Sequence, residues 1–511
     1  MAVGYLFTIF ADGFLYSIFP LYLFLINLKN SHAKSRRQAP GLWLSVLPIA
    51  VLLGGLVTAI ALMGASAVQD YSYFILLGAA AVSLVIGLLA SDRRRCIVPG
   101  LVKSGRQILP AIPILIFIGS LSATWMLSGV VPALIDYGLE LIAPNTFLVV
   151  ACLTCAVVSV VTGSSWTTIA TIGVALMSVG SVMGYHLGWT AGAIISGAYF
   201  GDKVSPLSDT TVLAASTCGV PLLNHIRFLM LTSIPALTLA LGVYAIVGFT
   251  ADLHATSHSS EILTAIRSTF NITPKVLIIP AITLGMILLR QGTARTLAVG
   301  SVAGLAGIWI FQPEIAQTLA ADGGALLSSA RVVLTSTPIS TGSELLDPLV
   351  STGGIAGMLP TIYLVLAATV FGGVMVGTGM LGTITHAITS RLRRPRSLVA
   401  TTVGSGLFLN SCTGDQYMSI IIGANVFKNT YRRLGVRPNT LSRTLEDSIS
   451  VTSVLIPWNS CGVTQSTVLG VATVVYLPFC LFNILSPVMT MIMAWAGWRI
   501  HHPASQHVAQ A

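Results

Sequence analysis

The chain has 511 residues, of which 54% are hydrophobic and only 8% charged, and its formal net charge is +10. A soluble protein carries about 25% charge, so a set of water-soluble domains is excluded. The basic residues cluster in short loops between apolar runs, which marks orientation in a bilayer rather than a nucleic-acid partner.

Met1 opens almost directly into an apolar run that carries a lone Asp12, read as interfacial. The sequence predicts an extra transmembrane helix here, and residues 1–40 end in a basic loop with Lys29, Lys34, Arg36 and Arg37. Apolar runs then recur at Gly41–Gly64, Tyr73–Ala90, Ile226–Phe249, Met358–Ile384 and Tyr476–Trp498. A run of about twenty residues crosses the hydrocarbon core as a helix, and only helices and closed barrels satisfy every backbone group in lipid. The runs are continuous rather than alternating, so the expected fold is all-α and polytopic. Cys152 and Cys155 form a CxxC inside an apolar run, where packing is the simpler reading than metal or redox chemistry.

Loop charge sets the expected topology. Basic loops follow the first helix, surround Arg93–Arg95 with Lys103 and Arg106, hold Arg290 and Arg295, hold Arg391–Arg396, and hold Lys428–Arg443; these are expected in the cytoplasm. The connections marked by Asp70, by Asp136 and Glu140, by Asp252 and Glu261, and by Asp322 and Glu344 are expected outside.

The chain also repeats itself at a spacing of about 250 residues. Pro110 matches Pro360, Gly129 matches Gly379, Thr162-Gly163 matches Thr413-Gly414, Pro206 matches Pro457, and Gly219-Val220 matches Gly470-Val471. Pro235 is one residue out of step with Pro487. The charge map sends the helix beginning near Pro110 outward and its counterpart near Pro360 inward. Two inverted-topology repeats are therefore expected, at 41–250 and 274–500, joined by an external loop at 251–273 and followed by a tail at 501–511. Inverted repeats with a site at their interface recur among secondary transporters.

Each repeat contains two interruptions. The first is a polar break expected to form a re-entrant hairpin: Ser164, Ser165, Trp166 and Thr167 at one tip, Thr413, Gly414 and Asp415 at the other. The second is a broken helix, read at Gly201–Thr211 around Pro206 and at Glu446–Ser453 continuing to Pro457 and Asn459. Such breaks expose carbonyls, N–H groups and half-helix dipole ends. With hydroxyls and carboxylates they supply the oxygen ligands a hard cation needs. A charged residue at the bilayer centre costs roughly 2.5–3.5 kcal/mol, so Asp202, Lys203 and Asp209 must face a polar interior, pair, or bind something. Ser205, Ser208, Thr210, Asp415, Glu446, Asp447 and Asn459 complete the candidate ion and proton site, with Na+ placed at Asp202 and Asp209. Simpler readings stand beside these. Asp202 and Lys203 could be a structural ion pair, Asp209 or Ser208 a helix cap, Asp415 a turn residue, Glu446 and Asp447 interfacial, and the hairpin hydroxyls interhelical glue.

The segment Ser196–Thr211 resembles the signature of the NhaC-type sodium/proton antiporter family. Gly163-Ser164-Ser165-Trp166 through Gly173-Val174-Ala175 resembles that family's first hairpin. Thr413–Tyr417, Leu441-Ser442-Arg443 with Glu446-Asp447, and Ile456–Asn459 resemble its second-half motifs. Val204, Val212 and Thr167 stand where members often carry Met, Asn and Gly. The resemblance implies a fold of the ion-transporter superfamily, often a homodimer, and a multi-pass protein of the cell membrane that exchanges Na+ for H+ with no cofactor. The alternative is a Na+- or H+-coupled carrier of a small organic acid or amino acid; a membrane enzyme or a passive channel is the third reading. No GxxxxGK[ST] loop occurs, so ATP-driven pumping is not expected.

Overall fold

The computed structural model describes residues 39–63, 67–91, 94–251, 263–289, 291–321, 324–335, 353–389 and 394–497. The expected N-terminal helix, residues 252–262 of the 251–273 loop, the C-terminal tail, and Arg93, Arg290, Asp322 and Glu344 lie outside these residues. The described residues contain helices and no strands. Among the described residues, eight helices are long and apolar enough to cross a membrane, or up to ten if two sharply bent pairs each count as one span. The runs at Gly41–Gly64, Tyr73–Ala90, Ile226–Phe249 and Met358–Ile384 coincide with four of them, and Tyr476–Trp498 holds a shorter apolar helix, Leu481–Trp495.

The first three helices are α1 (Leu42–Met63), α2 (Ala67–Ala90) and α3 (Arg94–Ile108). Then come α4 (Ala111–Leu127), α5 (Val130–Leu141), α6 (Phe147–Thr162), α7 (Ser165–Val182), α8 (Leu187–Val204), α9 (Asp209–Cys218) and α10 (Leu222–Thr250). A connecting group follows: α11 (Leu263–Thr269), α12 (Ile278–Leu288), α13 (Thr293–Phe311), α14 (Pro313–Ala321) and α15 (Ala325–Leu334). The last group is α16 (Leu359–Gly377), α17 (Met380–Thr389), α18 (Pro395–Thr413), α19 (Gln416–Arg433), α20 (Pro438–Leu445), α21 (Ser460–Leu469), α22 (Thr473–Tyr476) and α23 (Leu481–Trp495).

The matched sequence positions carry matched backbone conformations. Gly129 after α4 has φ 82° and Gly379 after α16 has φ 81°. Gly163 and Gly414, which end α6 and α18, both have φ 65°. Only glycine takes this left-handed conformation without steric cost, so these four positions fix where each helix stops. The hydrogen bonds repeat as well. Thr162 Oγ1 accepts from Ser164 N (3.1 Å) and approaches Thr168 Oγ1 (3.2 Å); Thr413 Oγ1 accepts from Asp415 N (3.2 Å) and approaches Ser419 Oγ (2.7 Å).

Close packing of α8 on α6 positions the site. A Cβ added to Gly197 would lie 2.0 Å from the Cys152 carbonyl oxygen, and one added to Gly201 would lie 2.3 Å from that of Ala156. Two glycines four apart let helix backbones touch, the small-residue packing that replaces the hydrophobic effect inside a bilayer. Cys152 and Cys155 are buried and unbridged in α6. At the surface Arg267 of α11 pairs with Asp136 (2.8 Å) and Glu140 (3.0 Å) of α5.

Candidate functional site

The first hairpin is α6 and α7, turned by Gly163. Ser164 caps α7: its hydroxyl accepts from Thr167 N (3.2 Å) and from Thr167 Oγ1 (3.1 Å). That leaves the first-turn N–H of Ser165 free, and it donates to Asp202 Oδ2 (3.0 Å), as does the Ser165 hydroxyl (2.7 Å). Asp202 lies in the last turn of α8, so a carboxylate sits at the positive end of a helix. Trp166 is half-buried against two core clusters.

The helix break after α8 is local and well satisfied. Ser205 is extended, and its hydroxyl donates to the Val160 carbonyl (2.8 Å) and accepts from Leu207 N (3.2 Å). Pro206 and Leu207 are exposed. Ser208 caps α9 by accepting from Thr211 N (3.5 Å) and approaches Thr210 Oγ1 (3.0 Å). Thr211 Oγ1 donates to the Lys203 carbonyl (3.0 Å), which the break has freed. Asp209, the first residue of α9, is exposed; it accepts from Thr210 N (2.9 Å) and from the Tyr417 hydroxyl (2.8 Å).

In the second hairpin, α18 and α19, Asp415 is buried and caps α19 by accepting from Met418 N (2.9 Å). Its other oxygen accepts from Ser460 Oγ at 3.5 Å. The second break falls at the Pro457 end of the segment read as broken. Glu446–Ser450 stays helical as a π turn continuing α20, and the extended backbone begins only at Ile456. Asn459 caps α21 through Cys461 N (3.1 Å) and donates to the Asn410 carbonyl (3.3 Å). Trp458, beside Pro457, donates to the Ser411 carbonyl (2.8 Å).

Lys203 does not pair with its neighbour Asp202. Its ammonium makes a close, fully buried ion pair with Asp447 and donates to Ser486 Oγ (2.8 Å). Asp447 also accepts from Ser486 Oγ (2.7 Å), from Thr232 Oγ1 (3.0 Å) and from Thr490. Glu446 and Asp447 are fully buried within the protein.

These elements enclose a cavity lined by Tyr199, Asp202, Lys203, Thr210, Gln416 and Glu446, with Ser450 and Val451. It is small, about 10 Å3, close to the size that admits one water-sized occupant. Asp202 Oδ1, both Glu446 oxygens, the Tyr199 hydroxyl and Ser450 Oγ are buried with no hydrogen-bond partner in the protein. Buried oxygens of this kind are costly unless something binds them. Five oxygen atoms, three of them from carboxylates, suit a hard monovalent cation or a proton.

The structure thus brings Asp202, Lys203, Thr210 and Glu446 to one cavity. Asp447 stands directly behind it. Ser164, Thr167, Ser205, Ser208, Thr413, Gly414, Asp415, Asn459 and the two prolines shape the breaks and hairpins around it, and Asp209 lies outside it. Sequence reasoning missed Tyr199, Gln416 and Ser450, and the hydroxyls of Thr232, Ser486 and Thr490. Gln416 and Ser450 each adjoin or fall within a motif that reasoning had singled out. Tyr199 also falls within such a motif, Ser196–Thr211, whereas Thr232, Ser486 and Thr490 stand in ordinary apolar helices, where no local pattern distinguishes them.

Comparison with known proteins gives a consistent result. Residues 37–217 and 197–498 match the model of the Na+/H+ antiporter family. The Na(+)/H(+) antiporter NhaC of Alkalihalophilus pseudofirmus is 36% identical over 75% of this chain and 81% of its own length. NhaC of Bacillus subtilis is 34% identical over 77% and 85%. The arginine/ornithine antiporter ArcD of Halobacterium salinarum is also 34% identical, over 77% and 80%.

Proposed function

This chain belongs to the Na+/H+ antiporter family, and from that premise we propose that it exchanges Na+ for H+ at the cavity between Asp202 and Glu446. It is a secondary transporter, a multi-pass protein of the cell membrane, and not an enzyme. The observation that carries the site assignment is the set of unpartnered carboxylate oxygens converging on a space for one small occupant.

Charge supports a monovalent cargo. Asp202, Glu446 and Asp447 bring three formal negative charges, against two positive charges from buried Lys203 and Arg443. One Na+ or one H+ neutralises the cluster. Carboxylates hold a metal only when deprotonated, so the two ions compete for the same oxygens. A buried uncompensated charge is expensive; the loaded protein therefore reorients and the empty one does not. Exchange follows from that rule, without direct contact between the two ions.

The paired glycines and hairpin hydrogen bonds support two repeats, inverted in the membrane, that rock about this site. Tags near Arg394 and Arg433 should then report cytoplasmic, and tags near Asp252 and Asp322 outside; an outside result at both arginine sites would remove the inversion.

ArcD is named for arginine/ornithine exchange, and a further relative, 32% identical over 81% of this chain and 86% of its own length, is named a malate-2H(+)/Na(+)-lactate antiporter of Bacillus subtilis. These relatives favour an organic co-substrate as the second reading, whereas the one-occupant cavity favours an ion alone. The deciding experiment uses proteoliposomes with an internal pH dye, adding Na+, Li+, K+ and then organic acids and amino acids. Na+ alone should move protons, and Asp202→Asn and Glu446→Gln should each abolish that signal. Parental signal in both variants would place the site elsewhere, and a signal that requires an organic solute would establish the second reading.

A further inference from the structure

Arg443 is fully buried, and its guanidinium is nearly without partners. Nη1 reaches only Met493 Sδ (3.5 Å), the group lies 4.6 Å from the centre of the Phe228 ring, and Nε and Nη2 have no partner. A buried cation in this condition carries a large desolvation cost, offset only when a carboxylate meets it. Asp447 stands four residues on, one turn away along the same helix, and it is the carboxylate that acts on Arg443 electrostatically. Yet Asp447 is committed here to Lys203, Ser486, Thr232 and Thr490. The other ionisable groups around it are Glu446 on its own helix and His225 of α10, whose Nδ1 faces Ser442.

The turn that carries Asp447 is a π turn, closed by Val451 N on the Glu446 carbonyl (3.2 Å). Such a turn holds one residue more than an α turn and is common at functional sites. A return to α geometry would absorb that extra residue without unfolding the helix. Lys203, once released, already lines the cavity that holds the unpartnered oxygens of Asp202 and Glu446.

We propose that Arg443 is the alternate partner of Asp447, and that by taking it over when the cavity is empty it releases Lys203 as a tethered competitor for the sodium site. Arg443 is then a positioning residue that sets sodium affinity through Lys203. The inference rests on the sodium cavity proposed above.

The test is the apparent sodium KM of purified protein in proteoliposomes, measured at rising pH until it no longer changes. At that plateau protons have ceased to compete, and the internal lysine is the remaining rival. Arg443→Gln should lower the plateau KM by about fivefold, the size of a modest coupling between sites, and Arg443→Lys should keep it at the parental value. A merely structural role would raise KM or reduce maximal rate in both. Thr490→Val, which loosens Asp447 from its present position, should raise the plateau and decides the matter if Arg443→Gln does not insert. An unchanged or raised plateau in Arg443→Gln, or an unchanged or lowered one in Thr490→Val, overturns the inference. If Asp202→Asn and Glu446→Gln keep full sodium-dependent proton movement, the cavity itself is wrong; if they abolish it while these plateaus fail to move as stated, only the role of Arg443 falls.

Discussion

Ser165 donates twice to one oxygen of Asp202, through its backbone N–H at 3.0 Å and its hydroxyl at 2.7 Å, and so ties the tip of the first hairpin to the end of α8. The other oxygen of Asp202 is left facing the cavity. One carboxylate thus has a fixed half and a free half, and the fixed half is held by donors that favour its charged form.

Ser165→Ala removes the hydroxyl and keeps the backbone donor. Loss of a hydrogen bond to a charged group costs about 1.5–3 kcal/mol, and 1.36 kcal/mol corresponds to one pH unit. The sign follows from which form is stabilised: with fewer donors the carboxylate binds its proton more tightly, so protons displace sodium up to a higher pH. The pH profile of sodium-driven proton movement should move in the alkaline direction by about one unit, with apparent sodium KM at neutral pH raised. A profile that stays in place, or moves toward acid, would show that this hydroxyl does not tune the site.

The Lys203–Asp447 pair gives a stability test. Removing one partner of a buried ion pair strands the other charge and costs about 3–5 kcal/mol, whereas replacing both with apolar groups can be nearly neutral. Lys203→Met alone should depress the thermal midpoint in detergent more than Lys203→Met combined with Asp447→Leu. Additive losses in the double variant would mean that the two charges do not depend on each other.

Gly197 tests the packing that places Asp202. A methyl group there would meet the Cys152 carbonyl at 2.0 Å, a contact with backbone that no rotamer relieves. Gly197→Ala should cost about 1–3 kcal/mol, read as a lower thermal midpoint, and should slow transport by displacing α8 from the first hairpin. Gly242→Ala is the control, because a Cβ there meets nothing within 4 Å. Equal midpoints for the two variants would contradict the packing argument.

Much of this architecture is legible in the sequence because the bilayer restricts the choices. Long apolar runs can only be helices, and Gly163 with Thr162, or Gly414 with Thr413, announces a stop where no lipid-facing helix should stop. Charge in an apolar run must be satisfied, which singles out Asp202 and Lys203, and with them Asp209, which is exposed outside the cavity; Glu446 and Asp447 stand out through the second broken helix instead. Partner choice was not legible. Lys203 adjoins Asp202 in sequence, yet adjacent residues on a helix point about 100° apart, so its ammonium leaves the Asp202 side for Asp447. The second break is found at the Pro457 end of its segment, and Glu446–Ser450, polar like a loop, is kept helical by a π turn.

The sequence reading pairs Asp209 with Asp202 as ion ligands, but Asp209 is exposed and accepts from the Tyr417 hydroxyl. Thr210 and Gln416 line the cavity, and their chain neighbours Asp209 and Tyr417 meet at 2.8 Å outside it. The pair joins α9 of the first half to the second hairpin. An exposed interaction of this kind contributes little to stability, about 0–1 kcal/mol, but an exposed carboxylate beside the cavity raises the local concentration of cations. Asp202→Asn should therefore abolish exchange, whereas Asp209→Asn should raise apparent sodium KM several-fold, with a maximal rate at least half retained (about 0.4 kcal/mol or less in barrier). Tyr417→Phe removes the hydroxyl at nearly constant volume and should act through the same contact, so the double variant with Asp209→Asn should be no worse than Asp209→Asn alone. Raising ionic strength with choline chloride should shrink the Asp209→Asn effect, because screening weakens attraction at an exposed charge. Complete loss of exchange in Asp209→Asn, insensitive to ionic strength, would return that residue to the ion-binding site.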